Sequence, residues 1–237
     1  MLFRSTFNDR DKVVSLARDV EKQCATVSDD LMHIRSLITL GSVLGCSGYR
    51  QEALRHLEHA KLRLTALGNI DLTYVCFWIA YVYYEDSRLP EALDAVKMAW
   101  EDAVLSNSLV DQAQTSLLFG RILFSADRDT EALKYMEISL TRNLELGNRR
   151  DRATALEYMG YGYLRRGDYA NAYGAYETAA ENYRGTVDEE IWGTRCKDNM
   201  AKIKDKQKNP DLNVGFLTPG TDKDYPLFYP AVQEISQ

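Results

Sequence analysis

Four short stretches of this chain can be laid over one another: residues 51–60 (QEALRHLEHA), 90–99 (PEALDAVKMA), 130–139 (TEALKYMEIS) and 170–179 (ANAYGAYETA). Their aligned alanines, Ala53, Ala92, Ala132 and Ala172, are spaced 39, 40 and 40 residues apart. A small residue stands twelve positions before each of them (Gly41, Ala80, Gly120, Gly160), and another stands seven positions after (Ala60, Ala99, Ser139, Ala179). Self-similarity at a fixed period means one supersecondary unit stacked several times, because a single unit of this size cannot bury its own apolar face.

Each unit reads as two helices. In residues 149–185, Leu156, Met159, Gly160 and Tyr163 share one helical face, Gly167 and Asp168 break the pattern, and Ala172, Tyr176 and Ala179 share the face of a second helix. Glycine inside a helix costs about 1 kcal/mol relative to alanine, so Gly160 predicts another helix passing close to its backbone. The small residues are then sockets where the two helices of a hairpin approach, with aromatic residues filling the space around them. Pro90 suits the first turn of a second helix, where its missing N–H has no intrahelical partner in any case.

The pattern Leu156-x2-Met159-Gly160-x2-Tyr163 followed by Ala172-x3-Tyr176 and Ala179 resembles the tetratricopeptide repeat, and the other three units keep the same skeleton over residues 29–184. Three features depart from that repeat. The period is near 40 rather than about 34, the proline that usually closes a unit is missing, and the first aromatic position holds Leu37, Cys76, Ser116 or Leu156. Longer units of this kind resemble those of kinesin light chains and of fungal NACHT-type receptors. The resemblance implies an all-α, right-handed α-solenoid: a half repeat in residues 1–28, four full repeats (29–68, 69–107, 108–148 and 149–185), a cap helix in 186–208 and an extended, proline-containing tail in 209–237.

The two ends fit that scheme. Val14, Ala17, Val20 and Cys24 recur at helical spacing in residues 10–26 and resemble a second helix whose first is absent. Such a helix predicts a cover, either residues 1–7 folding back or a second copy of the chain in a homodimer. Ile191, Trp192, Cys196, Met200 and Ile203 form one face of the cap, with charge elsewhere. Beyond it, Pro210, Pro219, Pro226 and Pro230 rule out a long helix.

Composition excludes several classes of function. With 29 Lys and Arg against 35 Asp and Glu, the net charge of −6 argues against general nucleic-acid binding. Lys202, Lys204, Lys206 and Lys208 are the one basic tract, and at a helix C-terminus they complement the macrodipole. The longest apolar run, residues 74–84, is too short to span a bilayer. Four scattered cysteines with no CxxC pair, behind an N-terminus without an apolar leader, predict reduced thiols and a cytoplasmic location.

Catalytic and ligand motifs are not apparent. His56 and His59 have a spacing that could hold a metal, but no Cys or carboxylate pattern completes a zinc signature around them. Gly160, Gly162 and Gly167 give G-x-G-x4-G inside a helix already under way, whereas a dinucleotide loop opens one. No cofactor is expected.

The first helix of each unit should line the concave surface of the array. By register, the residues left facing the groove include Arg35, Tyr74, Trp78, Tyr81, Tyr84, Arg121, Phe124, Tyr158, Tyr161 and Arg165, with Glu157 and Thr154 beside them, while Phe77, Leu117 and Leu118 read as core between units. Tyr, Trp and Arg are enriched where binding energy concentrates, since they join large contact area to a polar end. The Lys and Asn set with which related arrays clamp a peptide carboxylate is absent, which disfavours that mode. The expected function is a noncatalytic scaffold or adaptor for a protein or peptide. A ligand-sensing module of a larger receptor is the alternative, and an enzyme or metal-binding protein on the same shell is a third reading.

The socket argument has a direct test. Ala172→Leu adds volume where two helices should be closest, and overpacking of this kind costs about 1–3 kcal/mol. A clear fall in the thermal midpoint is expected, and an unchanged midpoint would refute the register.

Overall fold

A residue with left-handed backbone ends a helix about every twenty positions: Gly48, Gly68, Ser87, Asn107, Asp127, Gly147, Gly167 and Gly185 all have positive φ. The computed structural model describes residues 2–27, 29–68, 72–186 and 188–219, with side chains from residue 10 onward. Among these residues there are ten α-helices and no strand. They are α1 (Leu2–Cys24), α2 (Asp30–Cys46), α3 (Arg50–Ala66), α4 (Leu72–Glu85), α5 (Leu89–Leu105), α6 (Leu109–Ser125), α7 (Asp129–Glu145), α8 (Arg149–Arg165), α9 (Tyr169–Tyr183) and α10 (Thr194–Lys208). A π-helical turn, Glu189–Gly193, leads into α10.

The turns inside the hairpins share one hydrogen bond. The N–H groups of Tyr49, Arg88, Arg128 and Asp168 each donate to the carbonyl five residues back, at 2.9 Å, on Leu44, Tyr83, Leu123 and Tyr163. This is the Schellman closure, which satisfies a last-turn carbonyl and reverses the chain. The next helix therefore packs antiparallel to the one before it. Consecutive helices pack throughout, most extensively in the pairs α2–α3, α4–α5, α6–α7 and α8–α9, so the protein is an all-α solenoid of helical hairpins.

The small residues act as the sockets the sequence predicts. A Cβ on Gly41 would stand 2.5 Å from Leu57 Cγ, and one on Gly120 would stand 2.7 Å from Met136 Cε and 3.2 Å from the Ala132 carbonyl oxygen. On Gly160 it would meet the Tyr176 ring at 2.9 Å. Ala53, Ala92, Ala132 and Ala172 are all fully buried. Two other helical glycines serve the contact between hairpins: Gly45 faces Val82, and Gly162 faces the Phe124 ring.

Each hairpin is also fastened at its open end, by a different polar contact. Arg63 on α3 binds Asp30 at 2.7 Å, and Asp102 on α5 accepts from the Thr73 N–H and hydroxyl at 2.8 and 2.7 Å. Arg142 on α7 donates to Gln112 at 3.0 Å, and the Tyr183 and Thr154 hydroxyls meet at 3.3 Å.

Helix α1 differs from expectation in extent and orientation. It starts at Leu2, so residues 2–7 continue the helix instead of folding back over it. Val14 is buried and Ala17 packs beside it, whereas Val20 is 42% exposed and lies with Val13 and Leu16 on the outer side. Polar contacts fix this orientation. Arg18 grips Glu52 with two nitrogens, and His33 bridges Glu21 and Arg63. Because a guanidinium only donates, His33 Nδ1 accepts from Arg63 at 2.8 Å, and Nε2 carries the proton given to Glu21 at 3.2 Å.

At the other end, Trp192, Cys196 and Ile203 bury one face of the π turn and α10 against α9, while Ile191 points to solvent. Glu157, expected in the groove, is fully buried here instead. Arg195 of α10 donates to it at 2.5 Å and the Tyr183 hydroxyl at 3.3 Å, while the Trp192 ring covers the guanidinium at 4.3 Å. The Glu157–Arg195 pair ties α10 to α8 across α9. Residues 209–219 leave helical structure, as their prolines predict, and lie against α10. Tyr225, Leu227, Phe228 and Tyr229 lie outside the described residues.

Two substitutions test this account. Ser87 has φ of 59° at a turn where five of its seven counterparts are glycine, and left-handed backbone costs a non-glycine residue about 1–2 kcal/mol. Ser87→Gly should raise stability by about 0.5–1 kcal/mol after the glycine entropy cost, seen as a higher denaturant midpoint at unchanged slope. Arg195→Met leaves the Glu157 carboxylate buried without its cation and should cost about 3–5 kcal/mol. Adding Glu157→Gln should recover much of that loss in chemical denaturation.

Candidate functional site

The first helices of successive hairpins meet one another, α2 with α4, α4 with α6 and α6 with α8, while the second helices approach less closely and meet through side chains such as Trp100 of α5 and Tyr135 of α7. The first helices thus form the inner face of the array. An aromatic ladder runs along it. The Trp78 ring lies edge-on to Tyr74, Phe77 and Tyr81, with centroids 6.3, 5.5 and 5.4 Å away. One hairpin on, Phe124 of α6 stacks on Tyr158 of α8 at 6.4 Å and meets Tyr161 edge-on at 6.0 Å. Arg121 joins the two groups, its guanidinium 5.5 Å from the Tyr84 ring and 5.6 Å from the Tyr158 ring. The Ser125 hydroxyl donates to the Tyr84 oxygen at 3.2 Å.

The ten groove residues expected from register divide by accessibility. Trp78, Tyr81, Arg121, Phe124 and Tyr158 are buried, with at most 6% of their surface exposed. The physical reason is the packing just described: neighbouring first helices need flat, large side chains between them, and these residues fill that layer together with Phe77, Leu117 and Leu118. Tyr74, Tyr84 and Tyr161 are half-buried and reach the surface, and Arg35 and Arg165 are exposed. Arg165 already holds the neighbouring hairpin. It donates to the Phe124 carbonyl at 2.9 Å, pairs with Asp127 and Asp129 at 2.5 and 3.1 Å, and lies 5.7 Å from the Tyr161 ring. The surface open to a ligand is therefore a line of tyrosine edges above a rigid aromatic and cationic layer. Burial raises the pKa of Tyr74 above that of an ordinary phenol, which keeps its hydroxyl protonated.

Other candidates read from sequence have structural roles or are spread out. Burial pushes the Cys76 thiol up to about 11 and lifts Cys196 further, so neither is a ready nucleophile. Burial lowers the pKa of His56, and among the described residues no group of three His, Cys, Asp or Glu side chains is placed to hold a metal ion. In the basic tract, Lys204 lies over the Tyr173 ring at 5.0 Å and Lys206 donates to the Leu212 carbonyl at 3.0 Å. Gly160 and Gly162 are inside α8 and Gly167 is in the following turn, so the three glycines form no phosphate loop. Among the described residues no helix is long and apolar enough to cross a membrane.

Sequence reasoning missed one polar feature, the fully buried Asn199 on α10. Its only signal is position, since it sits between Cys196 and Ile203 on the apolar face of an otherwise charged helix.

No protein-family model matches the chain, and no curated protein matches it in sequence. Solved structures do resemble it. BtubC (BKLC) from P. vanneervenii is 14% identical, with a TM-score of 0.64, over 90% of this chain and 99% of that one. The Rap conjugation gene regulator of the plasmid pLS20, in complex with the Phr* peptide, is 16% identical, with a TM-score of 0.51, over 78% of this chain and 57% of that one. At these identities the likeness concerns the fold, a tetratricopeptide-like array of helical hairpins.

Proposed function

We propose that the chain is a noncatalytic recognition scaffold, working in the cytoplasm, that holds a peptide or an extended protein segment along the face of its first helices. The observation that carries this reading is the aromatic ladder. It presents the edges of Tyr74, Tyr84 and Tyr161 over buried Trp78, Arg121 and Phe124, so the contact residues are held rigid before any ligand arrives. Rigid aromatic side chains lose little entropy on binding, and their hydroxyls supply directional hydrogen bonds. Exposed Arg35 at the start of this face adds a cation suited to a carboxylate on the ligand. The pLS20 regulator, solved with a peptide, supports the reading by its fold.

The outer side of α1 favours a homodimer as the state of the scaffold. Val13, Leu16 and Val20 are 51%, 65% and 42% exposed and fall on one stripe of that helix.

The test is selection of peptides from a display library on the intact protein, followed by anisotropy titration. Binders should lose at least about tenfold in affinity for Tyr84→Ala/Tyr161→Ala, as expected when two central aromatic contacts are truncated, measured below the lowered thermal midpoint expected from the lost contacts with Arg121 and Phe124. Equal affinity for both proteins would place the binding surface elsewhere.

A further inference from the structure

At the C-terminal end, a buried side chain directs its hydrogen bonds at a passing main chain. Asn199 of α10 is fully buried. Its Nδ2–H donates to the Leu217 carbonyl and its Oδ1 accepts from the Leu217 N–H, both at 2.8 Å. A carboxamide that takes both main-chain groups of one residue offers what a neighbouring β-strand would offer, and it accepts only extended backbone there. The Leu217 side chain is meanwhile 37% exposed, so Asn199 reads backbone and not side chain at this position.

Selectivity comes from the flanking residues. Phe216 packs into the apolar cluster of α8, α9 and α10, with its ring 6.4 Å from Tyr169. Pro219 is buried, and proline holds both itself and the residue before it in extended conformation. The anchors are thus an aromatic residue, the main chain of the next, and a proline two further on. The Tyr176 hydroxyl lies beside the Asn199 amide without a well-formed hydrogen bond, and the bonds that satisfy Asn199 are the two to Leu217.

We propose that this face of α10 is a binding site for extended Phe-x-x-Pro segments, filled in cis by residues 216–219 and open to the same pattern on a different protein. The geometry is that of a site and not only of a tether, because a fully buried polar group is committed to backbone that any extended chain carries. The tail keeps its place through proximity: a short tether supplies an effective concentration in the millimolar range, against which an outside segment competes. This site is separate from the face of the first helices and does not depend on what that face binds.

The experiment uses the full-length chain, wild type and Phe216→Ser/Pro219→Ala, which releases the tail without removing it. The probe is a labelled, amidated heptapeptide of residues 213–219 (NVGFLTP). The released chain should bind it at least about tenfold more tightly than the wild type does, given the competing tether. Methylating the peptide's Leu217 nitrogen removes the donor to Asn199, and alanine at its Phe216 removes the aromatic anchor. Each change should weaken binding at least about tenfold, with the protein untouched and its folding not in question. Asn199→Leu in the released chain should do the same where its thermal midpoint shows it folded. Failure of the released chain to bind the peptide, or equal affinity for the N-methylated form, overturns the proposal. Concentration-dependent self-association that Phe216→Ser/Pro219→Ala abolishes would assign the site to a second copy's tail and overturn its assignment to a different protein.

Discussion

The structure depends on how closely two helices can approach. At Gly41, Gly120 and Gly160 the partner helix comes so near that a single added carbon would overlap Leu57, Met136 or Tyr176. That approach brings the fully buried alanines of the second helices, Ala53, Ala132 and Ala172, against the first, and it fixes the spacing of each hairpin. Once the spacing is fixed, successive first helices come into contact and the wide side chains Trp78, Phe124 and Tyr158 are taken into the layer between them. The aromatic ladder is thus a consequence of where the chain is smallest.

How much of this was legible in the sequence depends on whether a feature repeats. The sockets, the hairpin turns and the apolar faces recur every forty residues, so four copies vote on each position, and the residues expected as core (Phe77, Leu117, Leu118) are core. The groove was legible only in part. Helical register tells which residues point away from the hairpin partner but not how far the next hairpin covers them, and that second distance buries Trp78, Tyr81, Arg121, Phe124 and Tyr158 while leaving Tyr74, Tyr84 and Tyr161 at the surface. The contacts of Glu157 with Arg195 and of Asn199 with Leu217 occur once each. A single carboxylate among 35 acidic residues carries no signal of its own.

The N-terminal helix shows the same limit from another side. Its apolar residues fill more of the circumference than one neighbour can cover, so spacing alone chose Val20 for the interior, whereas the polar contacts of Arg18 and His33 turn it outward. Local pattern proposes an orientation, and long-range polar contacts select it, a hydrogen bond from His33 of α2 to Glu21 and an ion pair between Arg18 and Glu52 of α3.

The first helices approach one another closely across hairpins, whereas the second helices meet through a few long side chains, such as Trp100 of α5 against Tyr135 of α7. In mechanical terms the array is a stack of hairpins held more tightly along the first helices than along the second. Prising that edge apart would pull the Arg121 guanidinium out from between the Tyr84 and Tyr158 rings, so that sandwich opposes its opening. A segment lying along the first helices would act as a splint across the same edge.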